Sequence, residues 1–134
     1  MRNSYNKPEL KSLYYDEEVK RLPSLDGKTI AITGTTSGTG FIAAKTVAEK
    51  GARTLLLNRK TNRSNKSYEL LEEHYPKANF VDIECDLQSF KSVKKAAKTI
   101  TDLCKDGLDV LCNNAGVMAL KDQATIDQTW FSPC

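Results

Sequence analysis

The fold of this chain is decided by the segment Thr29-Ile30-Ala31-Ile32-Thr33-Gly34-Thr35-Thr36-Ser37-Gly38-Thr39-Gly40. Its first half is a β-branched, apolar run closed by a glycine, which predicts a short strand in a parallel sheet covered on both faces. The glycine-rich second half leads into a helical period, with Phe41, Ala44 and Ala48 on one face until Gly51 ends it. A strand, a glycine loop and a helix in this order are the context that a dinucleotide-binding loop requires.

The same alternation continues along the chain. Further strands are predicted at residues 54–57, 80–85 and 108–112, and further helices around residues 68–75 and 90–104. The last helix has Ser89 as its predicted N-cap and an apolar stripe formed by Phe90, Val93, Ala97, Ile100 and Cys104. The order β-α-β-α-β-α-β predicts an α/β fold, the N-terminal half of a Rossmann doubly wound parallel sheet.

This half-sheet would end in an uncovered strand. In the complete fold the fourth strand is central, whereas here it is expected at an edge, with Leu108, Val110, Leu111 and Cys112 short of cover. We therefore expect a marginally stable, aggregation-prone chain. Residues 27–122 are interpreted as the Rossmann half-domain, residues 1–26 as a polar N-terminal extension and residues 123–134 as a divergent tail. The extension is expected to pack loosely, with Leu10, Leu13 and Tyr14 in a short amphipathic turn.

Composition narrows the function classes. The chain has 134 residues and a formal net charge of +3, too small to indicate nucleic acid or an anionic membrane. Its four cysteines form no Cys-x-x-Cys pair and there is one histidine, so no metal site is expected. No apolar run is long enough for a transmembrane helix, and no secretory or transit sequence is recognised. Thiols in apolar segments favour a reducing compartment, and a cytoplasmic location is predicted.

The glycine loop has a predicted role at each glycine. Gly34 allows the turn off the strand, Gly38 removes a Cβ where a pyrophosphate would approach, and Gly40 lets the helix pack closely. The helix N-terminus offers N–H groups to phosphate. The candidate cofactor residues of the loop are Gly34, Thr35, Thr36, Ser37, Gly38, Thr39 and Gly40. The spacing is Gly-x-x-x-Gly-x-Gly, and no Gly-Lys-Ser/Thr follows, which excludes a P-loop. Taken alone, such glycines can also be purely structural.

Cofactor choice is predicted from the end of the second strand. An acidic residue there binds the ribose 2′-hydroxyl of NAD, whereas an arginine accommodates the 2′-phosphate of NADP. Asn58 and Arg59 occupy this place without a carboxylate nearby, and Lys60 and Arg63 add positive charge. Arg59 can hold a phosphate with two parallel hydrogen bonds. NADP(H) is therefore predicted over NAD(H); the alternative is a solvated basic loop.

The end of the third strand carries Asp86-Leu87. The Asp86 carboxylate can accept a hydrogen bond from the adenine amino group, while the Leu87 N–H donates to the ring. Asp86 can equally cap the helix that comes next, and both interpretations stay open at this point.

With the glycine loop, Asp86-Leu87 and Asn113-Asn114-Ala115-Gly116 on successive strand ends, the chain resembles the short-chain dehydrogenase/reductase superfamily over about residues 26–122. Its loop, the Asn58-Arg59 pair and the Asn-Ala-Gly-Val-Met run are most similar to the retinol-dehydrogenase and WW-domain-oxidoreductase-like branch. The resemblance implies that Asn113, Ala115 and Gly116 steady the central sheet and line the cofactor's ribose. Thr39 departs from the hydrophobic side chain that is usual at its position.

The resemblance also implies catalysis by later residues: an Asn, a Ser, and a Tyr-x-x-x-Lys pair whose tyrosine is the general acid/base. None of the five tyrosines here is followed by lysine at that spacing, so no catalytic residue is predicted in this chain. The family pattern continues to Asp127 and is lost from Gln128 onward. We expect truncation of a family member, as a frameshift, a retained intron or a faulty gene model would produce.

The expected function is the NAD(P)(H)-binding portion of a short-chain oxidoreductase acting on alcohols and carbonyls. The small-molecule substrate belongs to the complete family member. The alternative is a non-catalytic nucleotide-binding or interaction module, in which the exposed fourth strand pairs with a full-length relative. A methyltransferase is disfavoured, because its glycine loop usually pairs with an acidic residue where this chain has Asn58.

Overall fold

The computed structural model describes residues 12–117, 123–127 and 130–131. Its main sheet has four parallel strands, β1 (Thr29–Thr33), β2 (Arg53–Asn58), β3 (Asn79–Glu84) and β4 (Val110–Cys112), in the spatial order β3-β2-β1-β4. The helices are α1 (Tyr15–Arg21), α2 (Gly38–Glu49), α3 (Asn62–His74) and α4 (Phe90–Leu103). Two short strands, β5 (Gln123–Ala124) and β6 (Trp130–Phe131), pair antiparallel. The predicted α/β order and parallel sheet are confirmed.

Both faces of the two central strands, β1 and β2, are buried, as their continuous apolar runs predict. On one face, Ile30, Ile32 and Leu56 pack with residues of α2 and α3, including Ala44 and Leu71. On the other face, a second cluster contains Ala31, Leu55, Leu57, Ile83, Cys85 and the α4 residue Ala96. Because successive strand residues point to opposite faces, β1 and β2 need apolar residues at nearly every position.

Helix α3 begins earlier than its apolar spacing predicts. Thr61 is its N-cap, and the Thr61 hydroxyl accepts a hydrogen bond from the Ser64 N–H at 3.2 Å. The Ser64 hydroxyl contacts the Thr61 N–H in return, which completes a capping box. Asn62 and Arg63, predicted as part of a polar loop, therefore lie in the first turn of α3.

The buried face of α4 differs from the predicted stripe. Val93, Ile100 and Cys104 do pack against the sheet, but the fully covered alanine is Ala96, whereas Ala97 is exposed. Phe90 is also exposed. Ala96 and Ala97 fit a 3.6-residue period almost equally well, and the sequence pattern predicted the wrong one of the two as buried. The Ser89 N-cap is confirmed, since its hydroxyl accepts from the Ser92 N–H.

Strand β4 lies at an edge of the described sheet, as predicted, and is shorter than predicted. The Asp109 carboxylate accepts from the Thr29 N–H at 2.8 Å and from the Lys28 ammonium at 2.9 Å, and these bonds lower the pKa of Asp109. Asp109 therefore fastens the start of β1 instead of extending β4. Val110 and Leu111 are about half exposed.

Helix α1, in the described part of the N-terminal extension, buries none of its side chains. It contacts α2 through Tyr15, whose hydroxyl lies 2.6 Å from the Thr46 hydroxyl. Thr46 already donates its one hydroxyl proton to the Ile42 carbonyl, so Tyr15 is the donor to Thr46. The Lys45 ammonium lies 5.0 Å from the centre of the Tyr15 ring.

The link from α1 to β1 is also anchored. Leu25 packs against the α2 face of the core and its N–H donates to the Lys50 carbonyl at 2.7 Å. Asp26 occupies the space that a side chain at Gly51 would need. The expected amphipathic turn is wrong for Leu13 and Tyr14, which are exposed just before α1, and Leu10 lies outside the described residues.

No helix among the described residues has the length and apolar character needed to cross a membrane. In the same part of the chain, no three His, Cys, Asp or Glu side chains are grouped so that they could hold a metal ion.

Candidate functional site

The residues singled out from the sequence converge at one edge of the sheet. Parallel strands bring the loop after β1, Arg59 after β2, Asp86 after β3 and the segment 113–116 after β4 to the same carboxyl edge. The chain runs outward from β1 to β3 on one side and then returns to place β4 on the other side of β1. Such a reversal of strand order creates the crevice in which open α/β sheets bind ligands.

The glycine loop is built as its three glycines require. Gly34 has φ +71°, and a Cβ there would meet Ala115 at 3.0 Å. A Cβ on Gly40 would overlap the Gly34 carbonyl oxygen and the Asn114 amide nitrogen. Gly38 has φ +60° and faces open space, with nothing within 4 Å of its missing Cβ. Gly34 and Gly40 thus close the loop against the protein, whereas Gly38 leaves its outer surface free.

Two hydrogen bonds from Asn114 join the loop to the end of β4. The Asn114 amide nitrogen donates to the Thr33 carbonyl at 3.0 Å and to the Gly34 carbonyl at 3.1 Å. The Ala115 N–H donates to the Thr33 hydroxyl at 2.9 Å. Sequence reasoning places Asn114 in a motif but assigns it no role. The pair Asn113-Asn114 directly after a strand is the sequence signal that could have indicated this role.

Thr35 and Asn58 form a closed pair beneath the loop. The Thr35 N–H donates to Asn58 Oδ1 at 2.8 Å, and Asn58 Nδ2 donates to the Thr35 hydroxyl at 2.7 Å. Thr35 is 0% exposed and Asn58 is 7% exposed. Behind them, the Ser67 hydroxyl of α3 lies 3.4 Å from the Thr35 carbonyl. Thr35 therefore faces the interior, and Asn58, considered from sequence only as a place without a carboxylate, is a structural partner of the loop.

Positive charge gathers on the outer side of the loop. The Arg63 guanidinium donates to the Ser37 hydroxyl at 2.5 Å. An open cavity of about 510 Å³ lies between α2 and α3, and Arg63 and Lys66 line it beside Thr36, Ser37 and the apolar side chains of Phe41 and Leu70. Arg59 is exposed where β2 ends. The Arg63–Ser37 contact puts a second arginine, besides the predicted one, directly at the loop.

Asp86 shapes the turn between β3 and α4. Its carboxylate accepts from the Gln88 N–H at 2.9 Å, and its own N–H donates to the Ser92 hydroxyl at 2.9 Å. Because Ser89 is the N-cap, Asp86 does not cap α4. Leu87 is exposed beside it.

Burial raises the pKa of the neighbouring Cys85 thiol, and the Asp86 charge raises it further, so this thiol is protonated at neutral pH.

The remaining candidates line the mouth of the crevice. Asn113, Ala115 and Gly116 are exposed after β4, and Ser37, Gly38 and Thr39 are exposed at the start of α2. Asp127 of the C-terminal segment accepts a hydrogen bond from the Phe90 N–H, at the first turn of α4. All predicted positions except Thr35 and Gly40 thus keep part of their surface open on this edge of the sheet.

Comparisons with known proteins agree with this geometry. The family model described as short chain dehydrogenase matches residues 28–133. Short-chain dehydrogenase TIC 32 A, chloroplastic, of Brassica napus is 38% identical over 106 residues, which cover 78% of this chain and 33% of the relative. The chain spans about a third of the length of curated relatives that it matches.

Solved structures share the fold. L-sorbose reductase of Gluconobacter frateurii, complexed with NADPH and L-sorbose, is 26% identical with a TM-score of 0.62, covering 79% of this chain and 38% of the reductase. NADPH-dependent 3-quinuclidinone reductase of Rhodotorula rubra is 29% identical with a TM-score of 0.61, covering 78% of this chain and 38% of that enzyme. The loop, the strand order and these matches agree, and the chain belongs to the short-chain dehydrogenase family.

Proposed function

We propose that this chain is the NADP(H)-binding part of an oxidoreductase that interconverts alcohols and carbonyls. The observation that carries the proposal is the glycine loop, which is fastened from below by Asn58 and Asn114 while its outer surface at Gly38 is open. A fixed backbone with free N–H groups at a helix N-terminus is the arrangement that binds phosphate.

The pyrophosphate would lie over Gly38, where the exposed Ser37 and Thr39 add donors at the start of α2. Adenine would lie beside Asp86 and Leu87, and the nicotinamide-side ribose beside Asn113, Ala115 and Gly116. The space over Gly38 fits a phosphate because neither a Cβ nor a neighbouring atom fills it. A bound nicotinamide cofactor supplies or accepts the hydride, while the protein binds and orients it.

The 2′-phosphate of NADP(H) would be held by cations around the loop. Arg59 is exposed at the end of β2, and Arg63 already binds the Ser37 hydroxyl. Lys66 lines the same cavity as Arg63. Two related reductases bind or depend on NADPH, as their names state, which agrees with this assignment.

The alcohol or carbonyl substrate is proposed for the whole protein, from the family. L-sorbose reductase and 3-quinuclidinone reductase act on such groups. This chain has no Tyr-x-x-x-Lys, so we expect no hydride transfer from these 134 residues alone. A cytoplasmic location stays a prediction; the Brassica napus relative is named chloroplastic.

Replacing Arg59 or Arg63 with alanine should weaken NADPH binding by about tenfold to a hundredfold, because each loses a charge-assisted hydrogen bond to phosphate. NADH has no 2′-phosphate, so its affinity should change by less than about threefold. The measurement is calorimetric titration of both cofactors, with Lys77→Ala as the control. Lys77 is an exposed cation just before β3, at the opposite edge of the sheet.

Equal affinity of the unaltered chain for NADPH and NADH would contradict the assignment. An equal loss of affinity for NADPH and NADH in the two arginine variants would also contradict the assignment. Such a result would show that the arginines support the loop and do not bind the 2′-phosphate.

A further inference from the structure

The side chain at the carboxyl end of β2 points away from the surface where a cofactor would lie. Asn58 is 7% exposed, and its amide makes both of its hydrogen bonds to one residue, Thr35. The Asn58 carbonyl meanwhile accepts from the Cys85 N–H at 2.8 Å, which continues the sheet toward β3. Asn58 therefore links the third and second strands to the loop that comes after the first.

We propose that Asn58 is a positioning residue that holds the phosphate-binding loop in shape through Thr35, and that it takes no part in choosing between NADP(H) and NAD(H). The inference rests on the proposed function, because it concerns the same loop. The inference assigns the buried Thr35–Asn58 pair a specific role, support of the loop, in addition to packing in the core.

The pair is costly to bury unless it is complete. An amide and a hydroxyl placed away from water destabilise the fold when they lack partners, and here each satisfies the other. Apolar side chains at both positions would avoid that cost. The polar pair does what apolar side chains cannot do, because the hydrogen bond from the Thr35 N–H to Asn58 restrains the backbone of the loop directly.

Thr35 also restrains the neighbouring residues of the loop. Gly34 is held by its N–H bond to the Leu57 carbonyl at 3.0 Å. Thr35 comes directly after this anchor and before the open surface at Gly38. If the loop were released there, it would spend part of its time in shapes that cannot bind phosphate. Apparent affinity falls in proportion to the fraction of the chain that is competent to bind.

The orientation of Asn58 has a second, more specific consequence. In dinucleotide folds, an acidic residue at the end of the second strand binds the ribose 2′-hydroxyl and favours NAD. In this chain, a carboxylate at position 58 would lie beneath the loop, against Thr35. Asn58→Asp should therefore lower the affinity for both cofactors and should not switch the preference to NADH.

The test compares Asn58→Ala and Asn58→Asp with the control Thr54→Val. Thr54 lies on the same strand, is 0% exposed, and its hydroxyl lies 3.4 Å from the Ala52 carbonyl, at the far end of β2. Titrations of NADPH and NADH are run below the melting temperature of every variant. Hydrogen exchange of the Thr35 amide is measured in parallel, as a readout that does not depend on the cofactor.

Both Asn58 variants should bind NADPH and NADH about tenfold more weakly, with the ratio of the two affinities unchanged. Exchange at Thr35 should become faster in Asn58→Ala, because that variant loses the oxygen that accepts from the Thr35 N–H. Thr54→Val should lower the melting temperature but leave both affinities and the Thr35 exchange rate unchanged. Asn58→Asp replaces one polar group with another of nearly the same shape, so it keeps the test valid if Asn58→Ala fails to fold.

Tighter NADH binding by Asn58→Asp, or unaltered affinities in Asn58→Ala, would overturn the inference while leaving the proposed function intact. A wild-type chain that binds neither dinucleotide would instead overturn the proposed function, and the positioning role with it.

Discussion

Replacing Gly40 with alanine should lower the free energy of unfolding by about 3 kcal/mol or more, the upper range for an overpacked interior site. The new Cβ would overlap two groups that cannot move independently, the Gly34 carbonyl oxygen and the Asn114 amide nitrogen. Asn114 is already bonded to the Thr33 and Gly34 carbonyls, so relief of the overlap must break the junction between β1, the loop and β4. Chemical denaturation followed by circular dichroism measures the loss.

Gly116→Ala is the matched control for stability. A Cβ at Gly116 would meet nothing within 4 Å, and Gly116 lies on the same edge of the sheet. Its free energy of unfolding should therefore stay within about 0.5 kcal/mol of the unaltered chain, as for most surface substitutions. Equal stability of the Gly40 and Gly116 variants would show that α2 does not pack against the loop as described.

Leu55→Ala should cost about 2–5 kcal/mol, the usual range for truncating a buried leucine. Leu55 is 0% exposed, and in the sheet it pairs with Ala31 on one side and Val81 on the other. It belongs to the cluster that α4 covers, which includes Ala96. Thermal or denaturant unfolding gives the change directly.

The chain offers a close control for this substitution in Leu111→Ala. Leu111 pairs with Ala31 from the opposite side, so both leucines flank the same residue, yet Leu111 is 53% exposed. Its truncation should cost less than about 1 kcal/mol. A loss as large as that of Leu55→Ala would mean that β4 is covered in solution by another copy or another protein, which would favour the interaction-module alternative.

The strands of the sheet are predicted well because each is indicated by the type and spacing of its own residues. The bounds of β1 agree with the β-branched run at Thr29–Thr33, and Gly51 ends α2 with φ +95° as predicted for a helix-terminating glycine. The turn at Gly34 and the close packing at Gly40 are also predicted correctly, since each has its own steric reason within a few residues. The role of Gly38 beside a pyrophosphate stays a prediction. These features depend on residue type and spacing, which the sequence shows directly.

The features that sequence reasoning misses depend on contacts between distant residues. Nothing near Tyr15 indicates that it will bind Thr46, and nothing near Asn58 indicates that it will turn inward to Thr35. The start of α3 is missed for another reason, because Ser64 completes its capping box where Glu or Gln is usual. Arg63 is therefore assigned to a loop, although its place in α3 brings it to Ser37.

The carboxyl edge of this sheet is proposed to bind a nicotinamide dinucleotide at the glycine loop. The most direct test is titration of ¹⁵N-labelled chain with NADPH, monitored through its amide resonances. We predict saturable shifts at residues 34–40, 59–63, 86–87 and 113–116, with weaker binding of NADH. The opposite edge, around Thr29, Lys77 and Asp109, should stay unchanged. Shifts confined to that opposite edge, or no shifts at millimolar NADPH, would contradict the account.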